Sequence, residues 1–140
     1  MKPGSITFRQ ILIIYISCGL LWCLLHFYIL IDLGFAWPIA AKDSIISNIT
    51  LAALGFAMTN LLRYYRPGSG NAFNLLIWSL SIAMLYSWTC LKLLSLINHD
   101  SPEYILMLER SLPIRFGIAF LTIGWIVLLQ WIFHTLKENK

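Results

Sequence analysis

Residues 61–71 read "LLRYYRPGSGN" and interrupt a chain that is otherwise mostly apolar. The glycines invite a phosphate-binding reading, and that reading fails on chemistry. A phosphate-cradling P-loop needs G-x-x-x-x-G-K-[ST], whereas here Asn71 follows the last glycine and the loop has no lysine. A dinucleotide fingerprint needs a strand before it and a helix after it in a βαβ unit. Apolar runs of membrane-spanning length flank this stretch instead. It therefore reads as a turn between two spans: Pro67, Gly68 and Gly70 supply the geometry, and Arg63 and Arg66 hold it on the cytoplasmic side. Tyr64 and Tyr65 suit the headgroup layer, and the four side chains together fit contact with lipid heads.

Composition agrees. Of 140 residues, 59% are hydrophobic and only 11% charged, with a mean hydropathy of +0.78. A soluble domain carries about a quarter charged residues, and so short a chain cannot hide this much apolar surface in one core. The net charge of +4 is scattered, with no nucleic-acid motif, so nucleic acid is not an expected partner. Cys18, Cys23 and Cys90 all lie in apolar stretches without a CxxC, which argues against a zinc site or a disulfide framework.

A spanning helix needs about 20 mostly apolar residues. Four stretches qualify: 10–31, 44–62, 72–97 and 113–133. The first is too long for a signal-peptide core and reads as a retained span. The fold class expected is all-α: a polytopic four-helix membrane bundle forming one domain over 1–140. The N-terminus, the 63–71 loop and the C-terminal tail then share one side, with six Lys or Arg against four on the other. That asymmetry places both termini in the cytoplasm. Asp32, Trp37, Lys42 and Asp43 fall in the first outer loop on this reading. In the second, "SPEY" places Ser101 as a helix N-cap, Pro102 at the first helical position and Glu103 in the first turn. A short interfacial helix over 102–111 is expected there, dipping Ile105 and Leu106 or Leu108 into lipid, with Pro113 breaking the path into the last span.

Polar residues inside a membrane are expensive and mark functional sites. His26, Asp32, Asn48, Lys92 and Arg115 all fall near the outer ends of their spans. One reading gathers them into a shallow outer-face pocket for a small anionic ligand, anchored by Lys92 and Arg115. The plainer reading lets Lys92 and Arg115 snorkel to the surface and His26 bond a nearby carbonyl or hydroxyl. No catalytic carboxylate pair, Ser/His/Asp motif or metal-ligand cluster is apparent, so no cofactor, metal or catalytic residue is expected. Small-residue pairs (Ala53/Ala57, Gly55/Thr59, Gly117/Gly124) permit close helix packing.

Two longer stretches, "NITLAALGFAMTNLLRYYRPGSGN" and "SPEYILMLERSLPIRFGIAFLTIGWIVLLQW", resemble the N-terminal membrane region of LytS-type sensor histidine kinases of Bacteroidetes. The resemblance covers the chain from about residue 48 onward. It implies a module of a bacterial cytoplasmic membrane that dimerises and hands a signal to a cytoplasmic kinase domain. The "PHFLFN"-like phosphoacceptor motif and the ATP-binding asparagine box of that family are missing, so no catalytic residue carries over; His134 is not in such a motif. The leading expectation is a membrane sensor module without a kinase core. The alternative is a small stand-alone membrane protein, a transporter subunit or scaffold. The apparent avoidance of the midplane by charged groups counts against a transporter.

Overall fold

The computed structural model describes the backbone of residues 8–64 and 72–138, and the side chains of residues 9, 13–64 and 73–132. It holds α1 (Phe8–Asp32), α2 (Trp37–Tyr64), α3 (Ala72–Ile97) and α4 (Pro102–Glu138). No strand occurs among the described residues. At 1.5 Å per residue the helices run from about 37 Å for α1 to about 55 Å for α4, against roughly 30 Å of hydrocarbon in a bilayer. All four are long and apolar enough to cross a membrane. Only 6% of the α1 span is buried within the protein, and its side chains Ile13–Ile16 and Leu20–Trp22 are exposed. So much exposed apolar surface is unfavourable in water and costs nothing against lipid.

Two boundaries differ from the sequence reading. The second span begins at Trp37, not at residue 44. The connection between α1 and α2 is therefore residues 33–36, and Lys42 and Asp43 sit on a helix. The reason is local. The Phe35 N–H donates to the Leu30 carbonyl and the Gly34 N–H to the Ile31 carbonyl, while Gly34 adopts φ +90°. This pattern is a Schellman ending, which needs a left-handed residue just past the helix and suits glycine. The Ala36 carbonyl then accepts from Ile39 and Ala40, which starts α2 at once. Pro38 falls in the first turn, where its missing N–H leaves no helical bond unmade.

The second difference is α4. The expected interfacial helix 102–111 and the fourth span form one helix, with Pro113 inside it. Tyr104 and Leu108 are buried, so Leu108 does not dip into lipid; Leu106 is exposed. The buried positions continue through the proline as Arg115, Ala119, Ile123 and Val127, every fourth residue. That spacing keeps them on one helix face. Ser101 supplies the capping carbonyl to Ile105 N–H, with Glu103 in the first turn as the "SPEY" pattern predicts.

The chain divides into two compact units, residues 1–48 and 49–140. The first holds α1 and the beginning of α2. In the second, α3 and α4 pack as an antiparallel hairpin about the short turn 98–101. The buried stripe of α3 is Ser79, Ala83, Tyr86, Cys90 and Leu94, and it continues into the turn as Asn98. Met58 of α2 joins Ile123 and Val127 in an apolar cluster, flanked by Leu51, Leu62, Leu75 and Ile82. A Cβ built on Gly55 would meet the Ile126 side chain at 3.4 Å, so the small residue permits this close contact.

Two glycine substitutions separate conformational from steric demand. Gly34→Ala puts a side chain into the left-handed region and is expected to destabilise by about 1–2 kcal/mol. Gly124→Ala lies inside α4 with nothing within 4 Å of the new Cβ, and should stabilise by up to about 1 kcal/mol. Thermal unfolding in detergent micelles measures both; equal effects would refute the assignment of the Gly34 turn.

Candidate functional site

The polar centre of the first unit follows from the tight 33–36 turn. His26 lies six residues before the end of α1, and Asp43 six residues after the start of α2. Both are thus about 9 Å from the turn and level with each other. The His26 Nε2 stands 3.8 Å from Asp43 Oδ1. That distance is an electrostatic contact and too long for a hydrogen bond. Ser47, one turn further along α2, donates its hydroxyl to the same Oδ1 at 2.9 Å. Asp43, Ser44 and Ser47 are buried, whereas the His26 ring is partly exposed. A carboxylate taken out of solvent is costly unless polar groups surround it, and here two residues provide that contact.

The neighbouring polar groups are satisfied by their own helix. Ser44 donates to the Ala41 carbonyl, and the Asn48 Nδ2 donates to the Ser44 carbonyl. Asp43, Ser44, Ser47 and Asn48 therefore make a polar stripe on the first half of α2. The same face continues toward its other end as Leu51, Gly55, Met58 and Leu62. In a nucleophilic triad the serine is bonded to histidine; the Ser47 hydroxyl donates to the Asp43 carboxylate. No group of three His, Cys, Asp or Glu residues suited to a metal occurs among the described residues.

The five residues of the expected outer pocket fall in both units. In the first, His26 approaches Asp43, Asp32 is exposed at the end of α1, and Asn48 bonds its own helix. In the second, Lys92 is exposed, while Arg115 is 7% exposed and donates from Nε to the Ser111 hydroxyl at 3.0 Å. Lys92 is five residues from the end of α3, or about 8 Å, which suits snorkelling. Arg115 is not just inside its span. Because α4 starts at Pro102, Arg115 is 13 residues along it, about 20 Å from the turn and near the level of Tyr86. That is about halfway along α3, so Arg115 and Lys92 lie about 12 Å apart in depth.

Asp43 is the site residue that sequence reasoning assigned to a loop. The signal was present: "WPIAA" (residues 37–41) is helix-compatible ahead of it, with Pro38 at a permitted first-turn position. Arg63 and Tyr64 are exposed in the last turn of α2, where Arg63 also complements the helix dipole. Tyr65 and Arg66 lie outside the described residues. The exposed pair His99–Asp100, at 2.9 Å, contributes little in solvent. Compared with known proteins, the chain matches no family model, no curated protein and no solved structure.

The Asp43–Ser47 bond makes a coupled prediction. Ser47→Ala should lower stability by about 1–2 kcal/mol. Asp43→Ala should cost about 3–5 kcal/mol, because it strips the buried partner groups of their carboxylate. The double variant should be less destabilised than the sum, by about 1 kcal/mol. A double-mutant cycle in micelles reads this coupling, and strict additivity would count against the bond.

Proposed function

We propose that this chain is a membrane-embedded sensor and signal-transducing module, with both termini in the cytoplasm of a bacterium. It acts as a homodimer and passes its signal to a kinase core on a longer or separate chain. The observation that carries the reading is the continuity of α4. Its apolar span reaches Ile132, the last residue whose side chain is described, and the helix backbone runs on to Glu138. One continuous helix thus joins the 98–101 turn to the polar segment at the far end. A rotation or shift of such a rod is a general means of carrying a signal along a helix. The excess of Lys and Arg on the terminal side supports the orientation, and the resemblance to LytS-type membrane regions supports the kinase output.

The transporter alternative keeps one specific support. In the second unit that support is Arg115, which is buried about halfway along the hairpin. Asp43 is buried as well. Buried ionisable groups in spanning helices also mark transport paths.

The test is a phase scan. A histidine-kinase dimerisation and catalytic core is joined after Lys140 through a helical linker lengthened by one to four residues. Each added residue rotates the output by about 100°. Autophosphorylation in native membranes should rise and fall with a period near 3.6 residues. A flat response would sink the sensor reading. Retention of an alkaline phosphatase fusion at Lys140 in the cytoplasm, and so inactive, checks the orientation independently.

A further inference from the structure

We propose that α4 contains a hinge at Pro113 and that the Arg115 and Ser111 side chains form a clasp holding it closed. Proline has no N–H, so it cannot make the helical bond to the Glu109 carbonyl, and its ring crowds that carbonyl. Sharp helix bends occur at such positions. One turn further on, Gly117 adds a second weak point, and a Cβ there would meet nothing within 4 Å.

The side chains bridge this break. Ser111 Oγ donates to the Leu108 carbonyl at 2.9 Å, on the near side of the proline. The same oxygen accepts from Arg115 Nε at 3.0 Å, on the far side. A hydroxyl can donate once and accept as well, so one atom ties both sides together. The donor on the far side is charged, which strengthens the bond. Arg115 is 93% buried by its 7% exposure, so water competes little for that bond.

The two arms are anchored separately. Tyr104 and Leu108 are buried on the arm before Pro113, whereas Ile123 and Val127 join the Met58 cluster on the arm after it. The proline therefore lies at a joint between two packed segments, and the clasp sets the angle between them. Residue 128 is 15 residues beyond Pro113, so a swing of about 20° moves it by about 8 Å. The hinge is a property of α4 itself, whatever the chain signals or carries.

Pulsed electron paramagnetic resonance in lipid nanodiscs tests it. Spin labels replace Leu76 on α3 and Leu128 on α4, both exposed, in a background with Cys18, Cys23 and Cys90 changed to alanine. With the clasp intact, a single narrow distance distribution is expected. Ser111→Ala should broaden or shift it by several Å, and Ser111→Thr, which keeps the hydroxyl, should not. Arg115→Lys keeps the charge but loses the Nε–H, and should reproduce the broadening by an independent route. Adding Pro113→Ala to Ser111→Ala should narrow the distribution again, because a continuous backbone ladder needs no clasp. Melting in the same nanodiscs separates hinge opening from loss of fold. Unchanged distances in both Ser111→Ala and Arg115→Lys would overturn the proposal. So would broadening that persists after Pro113→Ala.

Discussion

Every backbone N–H and C=O placed in an apolar medium needs a partner within the chain, and the rest of this structure follows from that requirement. Four long helices satisfy it almost everywhere. The departures are few among the described residues. At Gly34 the carbonyls left at the end of α1 are recovered by a left-handed turn. At Ser101 a backbone carbonyl starts α4. At Pro113 no backbone donor exists; the Ser111 hydroxyl there donates to the Leu108 carbonyl and accepts from Arg115 across the proline.

The same economy governs the polar side chains. Most serines and threonines within the helices return their hydroxyl to a carbonyl three or four residues back, as Thr59, Ser79, Ser87 and Thr122 do. Such groups are self-sufficient and impose nothing on their neighbours. Ser47 and Ser111 differ: Ser47 donates to the Asp43 carboxylate, and Ser111 accepts from Arg115 besides donating to a carbonyl. Those two contacts mark where the helices bury charge: Asp43 in the first unit and Arg115 in the second. Asn98, buried at the end of α3, is the exception in the other direction, since its Nδ2 finds no hydrogen-bond partner among the described residues.

Much of the fold was legible in residue order. The four apolar runs and the turn chemistry of "SPEY" follow from hydropathy and capping rules. The helix boundaries were less legible. Asp43 and Lys42 look like loop residues because charge suggests solvent, yet α2 begins before them. Pro113 looks like a stop because proline removes a backbone bond, yet the buried face continues through it. At α2 the tight Gly34 turn starts the helix before the charges, and at Pro113 the buried helix face carries the helix through the proline.

Sequence alone determined that the chain forms four long apolar helices and which residue types are scarce enough to matter. Tertiary structure alone decided which scarce residues are buried and at what depth. Depth depends on where each helix starts, and burial on which face is turned to a neighbour. Moving the start of α4 from Pro113 to Pro102 carries Arg115 from the end of a span to the middle of a hairpin. Moving the start of α2 to Trp37 turns Asp43 from a loop acid into a buried one. Neither shift changes hydropathy, so no count of apolar residues reveals it; the Gly34 turn sets the first and the packed face of α4 the second.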